Sequence, residues 1–193
     1  FRRVLFRSVL KRIACKLSKV CNDLRLLSSG PQAGFNEINL PERAAGSSIM
    51  PGKVNPIIPE VVNQIAFEVI GNDVTITMAS EGGQLQLNAF EPIIGHSLFK
   101  SIEHLEAGCR TLTENCIRGI TANRDLLAER VRTSAGLATA LNPVIGYENA
   151  TWAAREALRS GRSVAELVLE RGLADQETLE RVLRPEVLTA PRA

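Results

Sequence analysis

"LKRIACKLSKVCNDLRLL", residues 10–27, decides which kind of fold this chain takes. Its apolar positions Leu10, Ile13, Leu17, Val20, Leu24 and Leu27 step by three and four, the heptad spacing that lays one stripe along an α-helix. Two later stretches repeat the pattern, one through Val62, Ile65, Val69, Asn72 and Ile76, the other through Leu98, Ile102, Leu105, Cys109, Leu112 and Cys116. Three long helices with such seams predict an all-α fold, a long-helix bundle with near-parallel packing. Val61, Phe67, Val74, Ile94 and Phe99 fall off the seams, which predicts that further helices cover a second face. Those helices would come from upstream sequence, from other subunits, or from both.

Punctuation divides the chain. "SSGPQAG", residues 28–34, ends the first helix with Gly30 and Pro31. The second starts between Asn55 and Pro59. Either Asn55 caps it with Pro56 in the first position, or Pro59 takes that position with Glu60 beside the positive end of the helix dipole. Gly82 and Gly83 interrupt it, Pro92 marks the next start, and the third helix runs towards Gly119. Residues 9–118 thus form the bundle region. Residues 119–193 read as a small C-terminal helical domain of short helices, with Asn123, Ser163 and Asp175 as caps and Glu166 completing a capping box with Ser163. Trp152 is placed in its core, and its proline-interrupted end is expected to fray. His96 and His104 read as ordinary residues of the third helix.

With 193 residues, 45% hydrophobic, 23% charged and a formal charge of +2, the composition is that of an ordinary soluble protein with no polyanion-binding face. No nucleic-acid partner is expected. No apolar run approaches the roughly 20 residues that span a bilayer, so no membrane partner is expected either. Cys15, Cys21, Cys109 and Cys116 form no C-x-x-C pair, and the two histidines do not complete a metal set. All four read as reduced, buried thiols of a cytoplasmic protein. "FRRVLFRS", residues 1–8, matches the translation of a common sequencing-library adapter and is set aside as a scar.

Between the first two helices lies "GSSIMPGKVNP", residues 46–56. Gly46, Pro51, Gly52 and Pro56 forbid a regular element there, while Ser47, Ser48, Lys53 and Asn55 crowd polar groups together. Taken singly, the serines could form a turn, Asn55 a cap and Lys53 a solvated charge. Taken together, they make a polar, hinged loop ahead of a helix N-terminus.

This loop resembles the signature of the fumarase/aspartase superfamily, whose members cleave C–N or C–O bonds and release fumarate. "KLSKVCNDLRLLSSGP", "NEINLPE", "GNDVTITMASEGGQLQLN", "EPIIG" and "GITANRDLL" are similar to aspartate ammonia-lyases, and the resemblance runs from about Val9 to the low 180s. Fumarases typically follow the signature with "NPTQ" and carry a "GHFELN"-like segment. "NPIIPEVVNQ" and "GGQLQLN" favour aspartase.

The resemblance implies that residues 9–118 are part of the superfamily's central helical domain and that residues 119–193 are like the C-terminus of fumarase C. It implies anti elimination of ammonia from L-aspartate to give fumarate, without an organic cofactor and with divalent-metal activation left open. It also implies a homotetramer whose active sites are shared between subunits. Removing a proton beside a carboxylate builds a dianionic aci-carboxylate, so the site must supply a base and concentrated positive potential together. By resemblance Ser47 is the general base, held as an alkoxide by surrounding positive charge. Lys53 and Asn55 bind a substrate carboxylate, and Ser48, Ile49 and Met50 add contacts beside it. A class II-type fumarase and a non-catalytic helical assembly module are the alternatives. The chain is expected to continue a longer upstream sequence and to be inactive alone, because the family's other substrate-binding segments lie upstream.

Overall fold

The computed structural model describes residues 2–44 and 54–190. Among these the chain is all-α, with two short strands. It divides into two compact units, Phe1–Asn123 and Arg124–Ala193.

Three long helices build the first unit: α1 (Arg2–Leu27), α2 (Ile57–Glu81) and α3 (Glu91–Asn115). α2 lies in the middle and packs along both others, which touch each other little. Both pairings are antiparallel. Lys11 reaches Asp73 while Ser18 and Arg25 reach Asn63. Across the other face, Asn72 bonds Ser101 and Gly108 sits against Ile65.

The buried stripe of α1 differs from the heptad reading. Ala14 and Cys21 are fully buried, with Leu10, Leu17 and Leu24 packed against their clusters, while Ile13 and Val20 are 40% and 47% exposed. Small side chains let two helix backbones approach closely, and Ala14 shares its cluster with Ala66 on α2. On α3, Leu105, Leu112 and Cys116 are buried as the pattern predicts, but Cys109 is exposed. Ile94, expected off the seam, is buried against Ile76 and Ala79. Val61, Phe67, Val74 and Phe99 are exposed.

Polar groups inside the bundle are paired, as burial requires. Asn63, only 2% exposed, donates Nδ2 to the carbonyl and hydroxyl of Ser18 at 3.1 and 3.0 Å. Ser101 donates to the Ser97 carbonyl at 2.7 Å and accepts from Asn72.

Helix ends follow local chemistry. α2 starts at Ile57 with Pro56 in the cap position and no side-chain cap, so Asn55 is not the N-cap and Pro59 stands third in the helix. Proline suits that first turn because its missing N–H would have no intrahelical partner. α3 carries Pro92 and Glu91 in its first turn. It stops at Asn115 rather than running to Gly119, and a 3₁₀ turn, Ile117–Gly119, follows.

β1 (Ile38–Asn39) pairs antiparallel with β2 (Thr121–Ala122), Ile38 opposite Ala122. Asn123, expected to cap the next helix, spends its side-chain amide on the Asn36 carbonyl at 2.7 Å, and its Oδ1 accepts from Asn39. The ribbon is thereby fastened rather than a helix capped.

The second unit contains α4 (Arg124–Arg132), α5 (Leu137–Ile145), α6 (Tyr147–Ser160), α7 (Val164–Glu170), α8 (Gln176–Val182) and α9 (Pro185–Leu188). Leu141, Ala153, Val164 and Val168 form the centre of its core. Ser163 and Glu166 make the capping box, and Asp175 caps α8 by accepting from the Thr178 N–H at 2.8 Å. Gly161 ends α6 at φ +72°, a left-handed conformation that favours glycine. Trp152 is half-buried at the core edge, and Arg171 stacks on its ring at 4.1 Å.

Candidate active-site loop and its frame

Of the residues the sequence singles out, Ser47, Ser48, Ile49, Met50 and Lys53 lie outside the described residues. Asn55 lies inside them, half-buried, with its carbonyl accepting from the Ile57 N–H at 2.9 Å. The structure therefore defines the frame from which the loop departs and to which it returns.

The incoming limb is fastened twice. Pro41 packs so closely on Gly119 that a Cβ there would lie 2.5 Å from the proline ring. Arg43 then donates Nε to the Asn115 carbonyl at 3.0 Å and Nη2 to that of Glu114 at 3.4 Å. α3 has no basic residue in its own last turn, so Arg43 supplies the positive charge that the helix's carbonyl end attracts.

The outgoing limb runs straight into α2. The Glu60 N–H donates to the Pro56 carbonyl, and Glu60 places a carboxylate in the first turn. Behind this limb, Arg25 at the end of α1 puts Nη1 3.5 Å from Asn63 Oδ1 and Nη2 3.9 Å from Glu60 Oε1. A cavity of about 520 Å³ opens between the two limbs, lined by Arg25, Ser29, Asn39, Glu42, Val54 and Pro56 among others. It is large enough for a small dicarboxylate. A smaller cavity in the second unit, about 290 Å³, is lined by four alanines together with Asn142, Tyr147 and Arg155 among others, and contains none of the singled-out residues.

Other chemistry is quiet. Burial, with Cys116 nearby, pushes the Cys21 thiol up to about 11, and burial also raises Cys116. Both stay protonated, and neither is a nucleophile at neutral pH. Cys15 and Cys109 are exposed, not buried as expected. Among the described residues, no group of three or more histidines, cysteines or carboxylates is arranged to hold a metal. None of the described helices is long and apolar enough to cross a membrane.

Arg25 and Arg43 carry no signal in the sequence, because their partners are 35 or more residues away and no local spacing marks them. His104, on the third helix as expected, pairs through Nδ1 with Glu68, which binds Lys100 through its other oxygen. The Lys100 hydrogen bond, followed by that of His104, holds the Glu68 carboxyl below its ordinary range.

Comparison with known proteins bears on this frame. A family model described as "Lyase" matches residues 2–71, and one described as "Fumarase C C-terminus" matches residues 137–190. An aspartate ammonia-lyase of Pseudomonas fluorescens is 64% identical over 98% of this chain, which covers 40% of that protein. A fumarate lyase structure from Brucella melitensis, described as a delta crystallin and bound to cobalt, superposes with a TM-score of 0.92 at 51% identity. It covers 98% of this chain and 41% of its own. A class II fumarase from Schistosoma mansoni gives 0.88 at 34% identity, covering 97% of this chain and 39% of its own. The chain thus spans about 40% of the length of the relatives it matches.

Proposed function

The chain belongs to the fumarase/aspartase superfamily, and on that premise we propose that it carries the signature loop of an aspartate ammonia-lyase, which eliminates ammonia from L-aspartate to give fumarate. The observation that carries this reading is the 64% identity to an aspartate ammonia-lyase over nearly the whole chain, against 34% to a class II fumarase. Malate–fumarate hydration is accordingly the second reading.

In the proposed reaction Ser47 removes the proton from the carbon beside the substrate's β-carboxylate. The electron pair moves into the C–C bond and expels ammonia from the neighbouring carbon. Lys53, as a point charge, and Asn55, through its amide N–H, hold the carboxylate as it gains charge in the aci form. Ser48, Ile49 and Met50 complete the contacts. The start of α2 adds its positive dipole end close to Asn55, since the helix begins two residues after it. No step requires an organic cofactor, and we assign no residue of this chain to an activating metal ion.

The proposed assembly is a homotetramer with shared sites, in a cytoplasmic enzyme. Supporting it, Val61, Phe67 and Val74 on α2 and Phe99 on α3 expose apolar surface along a long-helix bundle, a pattern that marks an interaction face.

The test is a chimaera in which this chain replaces the matching stretch of the Pseudomonas fluorescens relative. Fumarate and ammonia formed from L-aspartate, with malate inert, support the proposal. Turnover of malate alone establishes the hydratase, and a folded tetramer active on neither overturns both readings.

A further inference from the structure

The end of α1 holds a guanidinium that faces two groups on α2, 3.5 Å from Asn63 Oδ1 and 3.9 Å from Glu60 Oε1. Glu60 and Asn63 stand three residues apart and share one face of that helix. Arg25 addresses both, with Nη1 at Asn63 Oδ1 and Nη2 towards Glu60 Oε1. Asn63 is itself held, because it is buried and donates Nδ2 to the carbonyl and hydroxyl of Ser18. A polar chain, Ser18–Asn63–Arg25–Glu60, therefore runs from the α1–α2 interior to the first turn of α2. At its outer end Arg25 lines the same cavity as Val54 and Pro56, the limb that leaves the loop.

We infer that Arg25 is a positioning residue for the elimination: it fixes the first turn of α2, and with it Asn55, against the end of α1. This inference rests on the function proposed above. The side chain is 43% exposed, so its ion pair adds little to stability by itself. Its effect is geometric. A planar fork reaches Asn63 and Glu60 from fixed directions, whereas a lysine ammonium is a single point that cannot hold both. Displacing a substrate-binding group by about 1 Å can cost about 100-fold in rate, so small slippage of this turn is kinetically visible.

Two measurements test it. In the 193-residue chain, Arg25→Gln is expected to speed amide hydrogen exchange at Ile57 and Glu60 by about tenfold or more, with Leu105 and Leu112 on α3 unchanged. Unchanged exchange at Ile57 and Glu60 overturns the inference whether or not the function proposal stands. In the chimaera, Arg25→Lys and Arg25→Gln are expected to lower kcat about tenfold or more. Tetramer assembly and melting temperature stay the same, and Arg25→Lys recovers no more than a small part of the loss. A kcat within about twofold of the parent overturns the positioning role, as does a loss matched by lost assembly. An inactive parent chimaera counts against the proposed function alone and leaves hydrogen exchange to decide Arg25.

Discussion

Arg43 and Asn115 are joined by a 3.0 Å hydrogen bond that ties the segment entering the loop to the carbonyl end of α3. A cation from another part of the chain thus serves a helix terminus that lacks one, and the loop's incoming limb gains a fixed origin. Arg43→Ala should destabilise the chain by about 1 kcal/mol, the usual worth of an exposed charge at a helix C-terminus with its hydrogen bonds. Urea denaturation measures it. Arg43→Lys should lose less, and an unchanged midpoint for both variants would show that the contact contributes nothing.

Gly119 has no room for a side chain against Pro41. A proline ring cannot swing aside, so Gly119→Ala should shift the 38–43 segment and cost about 1–3 kcal/mol. The same denaturation experiment reads the loss. A fully stable alanine variant would mean that Pro41 moves freely.

Much of this frame is absent from any local pattern. The heptad steps identify three long helices and the α2 seam through Val62, Val69 and Ile76, because large apolar residues at helical spacing must face something. They select the wrong members on α1. Ile13 and Val20 match the period, but the tight contact uses Ala14 and Cys21, whose small size is what permits it. Caps were legible where Ser163–Glu166 and Asp175 act within one turn. Asn123 has the same residue type but is drawn away by Asn36 and Asn39, about 85 positions upstream. Residues 46–56 stand out by composition as a polar, hinged loop, and their proposed catalytic role comes from resemblance to the superfamily signature. The arginines that frame this loop were not legible, since Arg25 and Arg43 read from sequence as ordinary surface charges.

Glu68 predicts a pH dependence. Its carboxyl is held below the ordinary carboxylate range, chiefly by Lys100 and then by His104. A depressed carboxylate pKa contributes stability that is present above the unfolded value and lost as pH falls through the folded one. The difference in melting temperature between the native chain and Glu68→Gln should therefore shrink as pH drops below about 4.5, the ordinary range of a glutamate carboxyl. Added salt should reduce it at neutral pH, because the group is one-third exposed. A difference that persists undiminished once the carboxyl is protonated in strong acid would contradict this assignment.

Thiol labelling should separate the four cysteines. Cys15 and Cys109 should react with a maleimide in the native chain, while Cys21 and Cys116 should wait for denaturant, being buried and protonated. Rapid native labelling of Cys21 would mean that the α1–α2 core opens easily.

Ser47, in the loop beginning at Gly46, is the proposed general base. Ser47→Ala in the active chimaera tests it most directly, by following fumarate formation from L-aspartate together with the oligomeric state. Loss of a general base should lower kcat by about 100-fold or more, with assembly and the α2 frame unchanged. Turnover within a few-fold of the parent in a correctly assembled enzyme would contradict the account and remove Ser47 from the role of base.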